Sequence, residues 1–148
     1  MKAWIWLRGL AVVFAVFTIG HTIGILTPPS RGPQAAVFET MRSVRFPVMG
    51  FDRSYWEFYE GFGLFVTVEF ALLGVIAFQL SGISRRDPRQ ALPMAITLQI
   101  GCVASAVLSW LFFFAAPIVV SLLAVACSSV ALAMVARDAV AERSGVAG

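Results

Sequence analysis

The chain has 148 residues, 59% of them hydrophobic and 13% charged, with a mean hydropathy of +0.87. A soluble domain carries about a quarter charged residues, so the composition excludes one and predicts a single integral membrane domain, residues 1-148, with room for about four spans and one substantial loop. The net charge of +3 and pI of 9.4 do not point to nucleic acid, because the basic residues are dispersed beside apolar runs, as the positive-inside bias requires.

Residues 4-26 are apolar apart from Arg8, His21 and a few threonines, long enough to span. A signal peptide is the competing reading, since Lys2 and Arg8 resemble its basic start. The run is over-long for that and no small-x-small cleavage site precedes Pro28, so a retained first helix is expected. Pro28, Pro29, Gly32 and Pro33 then end it. In the outer loop, residues 27-53, Val37, Met41 and Val44 recur at helical spacing with Glu39, Arg42 and Arg45 opposite, which predicts a short helix on the membrane surface. Pro47 and Gly50 stop it.

Ser54-x-x-Glu57 has the form of a capping box, so the second helix starts near Ser54 and is expected to run to about residue 80. Tyr55, Trp56 and Tyr59 fall where a membrane interface would hold amphipathic rings. Gly61 and Gly63 mark a kink or a close helix contact. Ser81 to Arg89 reads as a short basic loop. From Gln90 to Ala136 there is no charged residue, which is two spans; Pro117 divides them into helices of about 91-114 and 117-136 in a tight hairpin. Thr97, Gly101, Ser105 and Ser109 form one i, i+4 stripe, and Ser121, Ala124, Ser128 and Ala131 another, both read as close packing. The expected fold is all-α: an antiparallel four-helix membrane bundle with a long outer loop between helices one and two.

With both termini cytoplasmic, Lys2, Arg8, Arg85, Arg86, Arg89, Arg137 and Arg143 lie inside, against Arg31, Arg42, Arg45 and Arg53 outside. That bias favours the orientation, in a bacterial inner membrane. Cys102 and Cys127 lack a Cys-x-x-Cys spacing and read as reduced packing residues. Lys2 is the only lysine, so no Schiff base forms within the membrane, and a lone histidine rules out bis-histidine haem ligation. No metal or cofactor is expected.

Glu69 is the strongest chemical signal, because a carboxylate near the bilayer middle costs on the order of 3 kcal/mol and normally marks function. The bland alternative is a protonated glutamate bonded to a neighbouring helix. His21 lies in the same outer half and is its natural partner, with Gly20 and Gly24 beside it at a spacing that allows tight helix packing. Glu57 is a second candidate acid. Phe58, Phe62 and Phe65 share a helical face with Glu69 and Leu72, an apolar aromatic surface suited to a lipid-like ligand. Asp52, Tyr55, Trp56 and Tyr59 would complete it, with Asp52, Arg53, Glu57 and Glu60 as a lid or a solvated cap.

Gly20-His21-Thr22-x-Gly24, with Arg53-Ser54-Tyr55-Trp56-Glu57-Phe58-Tyr59-x-Gly61-Phe62-Gly63-Leu64, resembles an uncharacterised family of small bacterial four-helix membrane proteins of DoxX-like architecture. The resemblance implies four helices and no particular activity. A looser, architectural likeness is to four-helix sterol isomerases and sigma-2-type receptors, in which carboxylates and aromatics surround a lipid-like ligand.

The leading expectation is a membrane pocket for an isoprenoid, sterol-like or quinone-like molecule. If catalytic, it would perform acid/base isomerisation, cyclisation or epoxide opening, with Glu69 or Glu57 as acid and His21 as base. The rivals are a small proton-coupled transporter and an accessory subunit docked through helices three and four, as a homo-oligomer or against another membrane protein.

Overall fold

Prolines and the residues beside them set the ends of the helices. In the computed structural model, which describes residues 2–145, the order is α1 (Ala3–Leu26), α2 (Pro33–Ser43), β1 (Arg45–Val48), β2 (Phe51–Ser54), α3 (Tyr55–Arg86), α4 (Pro88–Phe112) and α5 (Ala115–Arg143). The fold class is all-α apart from one small hairpin. Helices α1, α3, α4 and α5 are each long and apolar enough to cross a membrane. Their outer surfaces stay apolar, with Val12 and Ile19 each 62% exposed and Trp110 71% exposed. Lipid solvates such surfaces, and helices satisfy their backbone polar groups internally. The protein is a multi-pass integral membrane protein.

Two boundaries differ from expectation. Helix α3 runs to Arg86 instead of ending near residue 80, because Ser81 and Ser84 donate back to the carbonyls of Phe78 and Ser81 and keep the turn closed. The expected basic loop shrinks to Asp87, whose carboxylate caps α4 by accepting from the Gln90 amide at 2.9 Å. Pro88 follows as the first helical residue, where its missing N–H is no loss. Likewise α5 starts at Ala115 with Pro117 inside its first turn and continues to Arg143, since proline is tolerated there. Phe113 and Phe114 alone join α4 to α5, so the tip from Trp110 to Phe114 is wholly apolar and exposed.

The chain folds as two compact units, Met1–Phe17 with Ala71–Gly148, and Thr18–Phe70. The first is a four-helix bundle made of the start of α1, the end of α3, and all of α4 and α5. Its core is small: Ala3, Leu7, Leu10 and Phe14 from α1, Ala77 and Leu80 from α3, Ala91, Ala95, Leu98 and Cys102 from α4, and Ala124, Ala131, Val135 and Ala139 from α5. Small side chains let helices approach closely where lipid supplies no hydrophobic drive. At Gly74 a Cβ would stand 3.4 Å from the Phe14 Cβ.

The expected α5 stripe of Ser121, Ala124, Ser128 and Ala131 is buried. The α4 stripe is not the expected one. Ala91, Ala95, Leu98 and Cys102 face inward, while Thr97 and Gly101 are exposed. Thr97 instead bonds to the Pro93 carbonyl of its own helix, so its hydroxyl is satisfied without a neighbour. Gln99 supplies one polar link of the hairpin, donating to Ser129 at 3.0 Å, and Arg89 with Glu142 at 3.6 Å supplies another. Cys102 and Cys127 are free thiols.

In the second unit, α2 buries Ala35, Phe38 and Met41 partly, while Val37 and Val44 are exposed, so its inner face is rotated from the expected one. Strands β1 and β2 pair antiparallel from Arg45↔Ser54 to Val48↔Phe51. Met49 and Gly50, with φ of 49° and 87°, make the turn; two positive φ values are what a two-residue hairpin loop needs to follow strand twist.

Candidate functional site

The second unit is where α1 and α3 place the residues singled out in the sequence. The capping box is formed: the Ser54 amide donates to Glu57 Oε2 at 2.6 Å, and the Glu57 amide donates to Ser54 Oγ at 3.1 Å. Glu57 also lies 3.6 Å from Arg45. The Arg45 guanidinium is held mainly by Asp52, at 2.8 Å across the hairpin, a hydrogen bond that pushes its pKa up.

The rings of the interface divide between two clusters. Trp56 meets Phe38 edge-on at 5.3 Å and Tyr59 at 5.5 Å, with the Arg42 guanidinium 4.5 Å above the indole. Tyr55 packs on Phe46 at 4.7 Å, and Phe46 on Phe58 at 5.4 Å. These contacts pin α2 and the hairpin to the start of α3. Asp52, Tyr55, Trp56 and Tyr59 therefore hold α2 and the hairpin in place.

A groove of about 360 Å³ opens along the other side of α3, lined by Arg53, Glu57, Phe58, Gly61, Phe62 and Phe65. It brings together Phe58, Phe62 and Phe65 from the expected aromatic face with Arg53 and Glu57 from the expected lid, and adds Gly61. Their spacing carries the signal that finds them. At 3.6 residues per turn, positions 57, 58, 61, 62 and 65 fall on one face. Gly61 has nothing within 4 Å of where a Cβ would stand, so it opens the groove floor and no helix crosses there.

Gly63 is the close contact instead. A Cβ on it would overlap the Ile25 side chain, whose Cγ1 would be 2.7 Å away. Gly20 and Gly24, expected to pack tightly, have open space around them. His21 also meets α3 at Gly63, its Nε2 3.0 Å from the Gly63 carbonyl. One turn further along α3, the Thr67 hydroxyl lies 3.2 Å from that of Thr22, which itself donates to the Thr18 carbonyl at 2.7 Å. Positions 63 and 67 thus define the side of α3 that meets α1.

Glu69 lies elsewhere. It is two residues from Thr67, about 200° around the helix, and it is exposed. Among the described residues it makes no hydrogen bond or ion pair. The expected contact between His21 and Glu69 is therefore not made: the imidazole reaches across to backbone, while the carboxylate points outward on the face that Phe62 and Phe65 occupy. No group of three or more metal-ligating side chains occurs among the described residues.

No protein-family model, curated protein or solved structure matches the chain.

Proposed function

We propose that the protein binds an amphipathic, lipid-like molecule of isoprenoid, sterol-like or quinone-like type along the outer face of α3. The observation that carries this reading is one continuous helical face. Arg53 and Glu57 stand at its mouth, Phe58, Phe62 and Phe65 form an apolar wall, and an unpaired Glu69 follows one turn below Phe65. The charged end suits a polar head, the rings suit a flat or prenyl body, and Glu69 offers a hydrogen bond to a hydroxyl or carbonyl at depth. A site with a few convergent polar groups on an apolar wall is the usual form of a small-molecule site. The role is binding, since the His21 imidazole lies against the Gly63 carbonyl and Glu69 stands on another face of α3.

In this reading the chain sits in the bacterial cytoplasmic membrane with both termini inside and residues 27-53 outside. Seven basic residues on one side against four on the other support that topology. An impermeant thiol reagent should leave a cysteine at Ser84 unmodified in intact cells.

The binding test uses the full chain in detergent with a photoreactive prenyl quinone and a photoreactive sterol. Labelled peptides should cover residues 57–69, and Phe62→Ala with Phe65→Ala should abolish labelling while the helical content is unchanged. Labelling spread evenly over the four spans would overturn the reading.

The unpaired Glu69 favours one second reading, an accessory subunit of a membrane complex. A partner helix bearing a hydrogen-bond donor would satisfy the carboxylate, since charges within lipid face protein partners. Loss of a co-purifying membrane protein in Glu69→Leu, with probe labelling absent from the wild type, would favour it.

A further inference from the structure

The bundle unit carries a second charged feature, remote in sequence from the α3 groove and independent of the ligand reading. Near the start of α1, the Arg8 guanidinium lies 4.8 Å from the centroid of Trp4 and 5.6 Å from that of Phe78. From the end of α3, the Arg85 guanidinium lies 5.3 Å from the same Trp4 ring. Two cations thus share one indole. Like charges drawn to one ring repel each other unless an anion joins them, because the ring quadrupole offsets only a small part of a charge.

No carboxylate among the described residues does so. The acidic side chains at this end of the bundle are engaged elsewhere: Asp87 caps α4 through the Gln90 amide, Asp138 pairs with Arg137 at 2.9 Å, and Glu142 lies 3.6 Å from Arg89. Among the described residues, Arg8 and Arg85 have no ion pair, and both are exposed.

Depth selects the kind of anion. Phe78, which Arg8 touches, stands eight residues before Arg86 on α3, about 12 Å along the axis. It is 57% exposed, and the neighbouring Val12 is 62% exposed, as lipid-facing apolar side chains are. Arg8 therefore reaches into the boundary between headgroups and acyl chains, where a soluble anion would have to shed water to follow. A phospholipid phosphate already lies at that level, and basic clusters between membrane helices recognise such headgroups.

We propose that Trp4, Arg8 and Arg85 form a binding site for one anionic phospholipid, whose phosphodiester lies between the two guanidiniums while its acyl chain lies against Phe78. Planar guanidiniums suit phosphate oxygens because each presents a fork of donors, and stacking on Trp4 holds the forks in place.

The test is native mass spectrometry of the full chain from detergent micelles doped equally with phosphatidylglycerol and phosphatidylcholine. The wild type should retain one phosphatidylglycerol in clear preference. Arg8→Gln and Arg85→Gln should each lower that preference roughly fivefold, and the double variant should retain the two lipids equally. Arg137→Gln, whose cation is already paired, should behave as wild type. If Arg8→Gln fails to fold, Arg85→Gln and Trp4→Leu carry the test, both expected to weaken retention. Equal retention of the two lipids by the wild type, or a preference unmoved by Arg85→Gln, overturns the proposal. Displacement of the bound lipid by soluble glycerol phosphate would overturn the assignment to lipid in favour of a free phosphate site.

Discussion

The imidazole of His21 lies 3.0 Å from the carbonyl oxygen of Gly63, so the one histidine of the chain is spent on holding α1 to α3. The same residue is where α1 comes closest to α3, because Ile25 occupies the space that a side chain on Gly63 would take.

Gly63→Ala is accordingly expected to destabilise the protein by about 1–3 kcal/mol, the usual range for overpacking, whereas Gly61→Ala should be close to neutral in stability because its surroundings are open. Unfolding in mixed micelles checks this. Ile25→Ala should recover part of the loss at Gly63, since Ile25 is what the new methyl would strike.

His21→Asn is expected to cost about 1 kcal/mol, as a single hydrogen bond between membrane helices typically does. Thr22→Val and Thr67→Val should each cost less, with a coupling of about 0.6 kcal/mol in a double-mutant cycle. Zero coupling would mean the two hydroxyls do not depend on each other.

Glu69→Leu removes an exposed carboxylate that no group among the described residues compensates. Insertion of α3 should become more favourable by about 3 kcal/mol, with the unfolding stability of the isolated protein not reduced, while labelling by the photoreactive quinone is lost. A destabilised leucine variant would reveal an internal role for Glu69.

Ser54→Ala should weaken the start of α3 by about 1 kcal/mol, as loss of an N-cap does, and increase amide exchange over residues 54–58. Met49→Asn should raise stability by about 0.5–1 kcal/mol, because asparagine tolerates the left-handed backbone that Met49 adopts at a φ of 49°.

The four spans and the capping box were legible because hydropathy and a short local motif determine them. Asp87 reads as part of a loop and Pro117 as the first residue of its helix; Asp87 instead caps α4 directly after α3, and α5 begins at Ala115, two residues before Pro117. The Met49-Gly50 turn between Phe46 and Phe51 carried a hairpin signal that the prolines and arginines around it obscured. Which side of a membrane helix faces inward is harder to read, because lipid and protein interior are equally apolar. That is why the α4 stripe was placed one residue away from Ala91, Ala95, Leu98 and Cys102, and why Glu69 was expected against His21.

The tip of the α4 and α5 hairpin has a bearing on how the chain enters the membrane. From Trp110 to Phe114 it offers no charge and no polar side chain, so nothing there must be dragged through hydrocarbon when the pair goes in. Helices α4 and α5 can partition together as one prefolded wedge, with Gln99 already bonded to Ser129. The charges that decide direction of entry all lie at the opposite end, on Arg89, Arg137 and Arg143. Moving a single arginine to position 112 should therefore stall translocation of the tip without altering any contact in the folded core.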